Sequence, residues 1–229
     1  MPDKEMPVNE MLEIEIFSDI ICPWCYIGKK RLDTVMASPL GEQIALRWRP
    51  YQLYPNLPAE GLDRHEQLRH RYGANADPAR VPERIAVESR QEGLEFRYDL
   101  INRTPNTMAA HRLMELAYLQ DLQHELAEAL FQAHFCDGQD VGDHATLTQI
   151  AAAVGMDAGN VQAFLDAGHG EQEVRDQLAR APEVGVSGVP GYYLKIGATD
   201  GPGYLLPGAQ AADVMAQIFG RALERMHSN

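Results

Sequence analysis

The chain has 229 residues, 45% apolar and 23% charged with three cysteines, which excludes disordered and disulfide-scaffold classes. Its 33 Asp and Glu outnumber 20 Lys and Arg, and the net charge of −13 opposes phosphate backbones and anionic lipid, so neither nucleic acid nor membrane is an expected partner. No stretch approaches the roughly 18 apolar residues of a membrane helix, and Met1 to Asn9 lacks the basic end and apolar core of a signal peptide, so a cytoplasmic location is expected.

Leu12 to Phe17 alternates apolar and acidic residues, the period of a strand with one face turned to a core. It runs through Ser18 and Asp19 into Cys22-Pro23-Trp24-Cys25, after which Ile27, Arg31, Leu32 and Val35 recur at helical spacing until Pro39 and Gly41 stop the pattern. Pro23 suits the first helical turn, where its missing N–H costs nothing. Ile44 to Arg49 reads as a second strand, and the helix between the two makes a right-handed βαβ unit with parallel strands the expectation.

Residues 63–183 carry almost no strand-like runs. A helix is expected from Thr104-Pro105, a cap followed by proline at the first position, through His111, Leu113 and Leu116 to about Leu119. Further faces are Leu122, Leu126, Ala129 and Leu130; Leu147, Ile150, Ala151 and Val154; Val161, Phe164 and Leu165; and Val174 with Leu178. Only Leu94 to Arg97 looks like a strand. After Gly185, Tyr192 to Ile196 reads as a strand, Gly201-Pro202-Gly203 as a turn, Tyr204 to Leu206 as a second strand, and Ala211 to Glu224 as a closing helix with Val214, Ile218 and Ala222 on its inner face. The β-α-β opening and β-β-α ending bracket an α-helical insertion, giving segments 11–62, 63–183 and 184–226.

The chemistry concentrates in Cys22 and Cys25. Cys22 falls at a helix N-terminus, where free N–H groups and about half a positive charge face the sulfur. Cys25, one turn deeper, is placed to act as the resolving thiol on a mixed disulfide made by Cys22. Two other readings exist. Zinc would need two more ligands, for which His134 and Cys136 offer an unfavourable spacing, and both thiols would be inert if simply packed as small hydrophobes. Pro190, after Gly185-Val186-Ser187-Gly188-Val189, stands at a strand entrance, where its lack of an N–H is tolerated. Asn102 and Asn106 read first as turn and cap residues and His111 as a helix-surface or cap residue, with a cleft-lining role as the alternative for Asn106 and His111, and Asp19 reads as a turn residue or a modulator of Cys22.

The chain resembles the DsbA-like branch of the thioredoxin superfamily, and within it the FrnE-like members. The resemblance rests on Ser18 to Gly28 around the cysteine pair, Asn106-Thr107 with Ala110 to Leu113, Phe131 to Phe135 with Gly142-Asp143, Gly185 to Pro190, and Gly208 to Gln210. It implies an α/β thioredoxin fold with an inserted helical domain, a cis Pro190 lying against the cysteine pair, and a Val189 backbone that binds an extended substrate. It also implies nucleophilic Cys22, resolving Cys25, a Trp24 that shapes access, and thiol–disulfide exchange with protein or small-molecule thiols, using no cofactor or metal, with glutathione as a thiol substrate. Relatives that act as glutathione-dependent isomerases or transferases on small aromatic molecules carry serine at the position of Cys22, and that activity is the second reading. A non-enzymatic redox sensor or binding module is the third. Cys136 has no partner cysteine and no assigned role.

Overall fold

The computed structural model describes residues 11–196 and 203–228. The expected turn at Gly201 and Pro202, and the segment Met1 to Asn9, lie outside the described residues. Strand β1 (Leu12–Ser18) pairs in parallel with β2 (Ile44–Pro50), Leu12 opposite Ile44 and Ser18 opposite Pro50. Helix α1 (Pro23–Met36) and a 3₁₀ turn at Gly41–Gln43 make the crossover. On the other side of β1, β5 (Gly191–Lys195) runs antiparallel, and β6 (Tyr204–Pro207) continues the sheet in the order β2-β1-β5-β6. Helix α9 (Ala212–His227) closes the fold against β1 and α1. This is the mixed sheet and α/β architecture of a thioredoxin fold.

Between the two halves lie α2 (Arg64–Tyr72), α3 (Glu83–Gln91), α4 (Met108–Tyr118), α5 (Gln123–Phe135), α6 (His144–Ala153), α7 (Ala158–Asp166) and α8 (Glu171–Glu183). Local chemistry sets several starts: Asp63, Asp143 and Asp157 each accept the N–H of the residue three positions on, capping α2, α6 and α7. Helices α4, α5 and α8 pack on β2, so one apolar core runs from Ile14 and Ile16 of the sheet through Ile27 and Leu32 of α1 to Leu113, Leu130 and Phe131. Tyr26 of α1 stacks on Phe131 at 5.1 Å between ring centroids, and Phe96 on Phe135 at 4.8 Å. Among the described residues no helix is long and apolar enough to cross a membrane.

Four expectations need correction. The acidic face of β1 is only partly turned to water: Glu13 is 45% exposed but Glu15 is 0% exposed, because α8 brings Arg180, which joins Arg49 on the carboxylate. The helix expected from Thr104 begins at Met108. Thr104 instead belongs to β4 (Arg103–Thr104), pairing with Leu62 of β3 (Leu62–Asp63). Leu94 to Arg97 forms no strand; the Arg97 N–H donates to Phe135 O at 2.7 Å and the ring of Phe96 is taken up by the aromatic stack. In α9 the buried face is Met215, Phe219, Ala222 and Leu223, while Val214 points outward. Ala222 lies on that face as expected and Ile218 packs against the core partly buried, so of the expected face only Val214 turns outward.

Candidate active site

The backbone turns from β1 into α1 at residues 19–22, where the Cys22 N–H donates to Asp19 O at 3.0 Å. Cys22 is the N-cap of α1 in an extended conformation (φ −92°, ψ 112°), with Pro23 behind it in the first turn. Its Sγ lies 3.7 Å from the Val189 carbonyl oxygen, to which the thiol donates. Cys25 follows one turn later, with its N–H on Cys22 O at 3.0 Å. Both thiols are free and nearly enclosed, Cys22 at 4% exposure and Cys25 at 1%.

The two sulfurs are in different surroundings. Burial first, then the adjacent Cys22 sulfur, holds the Cys25 thiol well above its ordinary value, so at neutral pH it carries its proton. Opposing this, the Ser18 hydroxyl and the Asp19 backbone N–H are positioned to donate to Cys25 when it is a thiolate. Among the described residues the buried Ser18 Oγ has no hydrogen-bond partner.

Asp19 is fully buried, and its Oδ2 accepts the Leu53 N–H at 2.7 Å. Its Oδ1 accepts no hydrogen bond and stands 3.5 Å from His111 Nε2, which also lies 3.0 Å from Tyr51 O. His111 is therefore a buried residue beneath the cysteine turn, not the helix-surface or cap histidine expected. A cavity of about 10 Å³, room for roughly one water, adjoins Ser18, Ile20, His111 and Met114. Asn106 is a turn residue, as expected: its Oδ1 accepts the Met108 N–H at 3.0 Å and its Nδ2 donates to Leu57 O at 2.8 Å. It steadies the loop that His111 and Asp19 also hold, without reaching the sulfurs.

The Val189–Pro190 peptide is cis. Pro190 O accepts the Gly208 N–H at 2.8 Å, which fixes the entrance of β5 against the segment after β6. Close approach explains two glycines: a Cβ on Gly28 would stand 2.6 Å from Tyr192 Oη and 3.1 Å from Pro190 Cγ, and one on Gly208 would stand 2.8 Å from Pro190 Cγ. At Gly28 helix α1 thus approaches Pro190 and Tyr192 closely, at the entrance of β5. Trp24, half-buried between the cysteines, has the guanidinium of Arg84 on α3 above its ring, 5.0 Å from the centroid.

Periodicity and motif reading missed Ser18, Tyr98, Arg64 and Arg84 around this site. Ser18 precedes Asp19 in the sequence and was visible as a neighbour; the others come from segments with no local signal. His134 is buried with Nδ1 unpartnered, and Cys136 ends α5; among the described residues no group of three or more His, Cys, Asp or Glu is placed to hold a metal ion.

The sequence model of the DSBA-like thioredoxin domain family matches residues 13–220. A Bacillus subtilis (strain 168) protein, YwbO, itself uncharacterized, is 26% identical over 209 residues, spanning 91% of this chain and 96% of its own. A crystal structure described as a probable DsbA oxidoreductase from Streptomyces coelicolor superposes with a TM-score of 0.77 at 28% identity, covering 93% of this chain and 90% of that one. The cytosolic disulfide reductase DsbM of Pseudomonas aeruginosa, also solved with GSH, shares the fold at a TM-score of 0.65 and 16% identity, covering 95% of this chain and 98% of its own.

Proposed function

The chain belongs to the DSBA-like thioredoxin domain family, and from that premise we propose that it is a thiol–disulfide oxidoreductase acting through a mixed disulfide on Cys22. The observation that carries the reading is the asymmetry of the pair. Cys22 caps α1 beside the Val189 carbonyl, whereas Cys25 sits deeper, protonated, with Ser18 and the Asp19 N–H ready to receive its charge.

In the reducing direction the Cys22 thiolate attacks a substrate disulfide. One substrate sulfur leaves as a thiolate and takes a proton, and the other stays bonded to Cys22. Cys25 then loses its proton and attacks Cys22 Sγ, which forms the Cys22–Cys25 disulfide and releases the second substrate thiol. Two electrons pass from the pair to the substrate; the reverse sequence oxidises two substrate thiols. The electrons come from sulfur alone, so the reaction draws on no cofactor. Val189 and Pro190 offer an extended backbone against which a substrate segment can lie, and Trp24 forms the outer wall. The GSH-bound neighbour supports glutathione as a candidate small thiol.

Replacing Cys22 with serine should abolish exchange in an insulin-reduction or thiol-oxidation assay. Cys25→Ser should leave attack intact and accumulate a substrate adduct on Cys22, visible as a mass increase. Undiminished turnover in the Cys22 variant overturns the assignment.

A further inference from the structure

The chain is acidic overall, yet the arm beside its cysteines is not. None of the six arginines Arg64, Arg69, Arg71, Arg80, Arg84 and Arg90 forms an ion pair among the described residues, nor do Arg112, Arg221 and Arg225, whereas Arg31, Arg47, Arg49 and Arg180 are held by carboxylates. Arg31 even takes Glu88 of α3 and Glu92 just after it, leaving Glu83 as the other acid of that helix.

Two of the six are fixed at the site. Arg84, exposed on α3, stands over the ring of Trp24, between the cysteines. Arg64, half-buried at the start of α2, lies over the Tyr98 ring at 5.0 Å and donates Nη1 to the Pro78 carbonyl. Tyr98 is itself buried, close enough to feel both the Arg64 charge and Cys22, and burial keeps it a neutral phenol. Aromatic faces hold a guanidinium in place but supply no full counter-charge. A partly desolvated cation with no carboxylate partner is costly unless something anionic binds beside it.

We propose that Arg64 and Arg84 form a carboxylate-binding flank of the Cys22 site, so that the pair exchanges preferentially with small thiols carrying a carboxylate near the sulfur. The inference rests on Cys22 being the attacking sulfur. A small anion suits the charges better than a polyanion. At physiological ionic strength the Debye length is about 8 Å, so within the cleft the local arginines dominate, while an extended polyanion meets the acidic remainder of the surface. Bound to either guanidinium, the carboxylate holds its own thiolate against the oxidised pair. That thiolate attacks Cys22 Sγ, the Cys22–Cys25 bond breaks and Cys25 leaves, taking a proton. A second substrate thiolate then attacks the substrate sulfur of the mixed disulfide and releases Cys22, so two thiols become one disulfide as the protein disulfide is reduced.

The test follows reduction of the oxidised protein by tryptophan fluorescence with 3-mercaptopropionate, 2-mercaptoethanol and cysteamine. Each rate is divided by that thiol's rate with the neutral bis-hydroxyethyl disulfide, which removes differences in intrinsic reactivity. At low salt the anionic thiol should lead and the cationic one trail, with a spread of about tenfold. The spread should collapse at about 1 M salt, where the Debye length is about 3 Å, and shrink in Arg84→Gln and in Arg64→Gln. Arg84 is exposed, so its variant tests the idea even where loss of Arg64 perturbs folding. Equal normalised rates, or a spread undiminished in Arg84→Gln, overturn the proposal while normal reduction by 2-mercaptoethanol leaves the oxidoreductase reading standing. Failure of all three thiols to reduce the pair overturns both.

Discussion

Glu15→Gln isolates the cost of the buried charge in the central strand. Glu15 is 0% exposed and its two carboxylate oxygens divide between Arg49 (Nε at 2.9 Å) and Arg180 (Nε at 2.9 Å, Nη2 at 2.7 Å), with Lys195 Nζ at 3.5 Å. Glutamine keeps the shape but removes the charge and turns an NH₂ toward a guanidinium. Breaking a buried ion pair from one side typically costs about 3–5 kcal/mol. Here the abandoned cations reach water, since Arg49, Arg180 and Lys195 are 17%, 33% and 35% exposed, so about 2–3 kcal/mol is expected. The pH dependence follows from the sign of the shift. Burial by itself would raise the Glu15 carboxyl, but hydrogen bonds from Arg180 and Arg49 outweigh it and hold the group below its ordinary 4.5. The unfolded chain therefore binds the proton at higher pH than the folded one. The stabilisation is complete above about pH 4.5 and is lost as pH falls through the lower folded value. Urea unfolding of both proteins should show the full gap at pH 7, with narrowing only below about pH 4.5. A gap under about 0.5 kcal/mol at pH 7, the scale of an ordinary surface substitution, refutes the reasoning, as does a gap that already shrinks between pH 7 and 5.

Gly28→Ala places a methyl 2.6 Å from Tyr192 Oη, and the resulting overpacking should cost about 1–3 kcal/mol in urea unfolding; a neutral substitution would show that α1 can move off β5 freely. Burial pushes the His134 imidazole down from 6.5 to about 4, so between those values the unfolded state holds an extra proton and stability falls as pH falls. His134→Gln should flatten that slope by about 1.4 kcal/mol per pH unit in a pH series of unfolding curves, and an unchanged slope contradicts it. Burial, then Asp137 and Glu128, pushes the Cys136 thiol up to about 11. In the native protein at neutral pH iodoacetamide should label Cys136 about a hundredfold more slowly than in the denatured chain, as read by peptide mass spectrometry; equal rates would contradict the raised value.

Signals written in consecutive residues were legible without coordinates. The period-2 run at Leu12, the proline-containing turn at Cys22 and the helical spacing after it place the cysteine pair at a strand-to-helix junction, and the second strand after a single helix gives the parallel pairing. These depend on interactions within a few residues or on the handedness of one crossover, which local sequence specifies. What failed depended on partners distant in the chain. Glu15 reads as a solvent-facing acid until α8 delivers Arg180 from 165 residues away. Thr104 reads as a helix cap until Leu62 offers it a ladder, and Phe96 as a strand residue until Phe135 offers it a ring. His111 follows the same logic, because only packing of α4 beneath the cysteine turn sets it beside Asp19 and the Tyr51 carbonyl. The sequence by itself determined where the reactive sulfurs stand on the chain. The tertiary structure alone decided their surroundings, setting Val189 against Cys22, Ser18 against Cys25 and unpaired arginines at Trp24 and Tyr98, because burial and electrostatics act through space and not along the backbone.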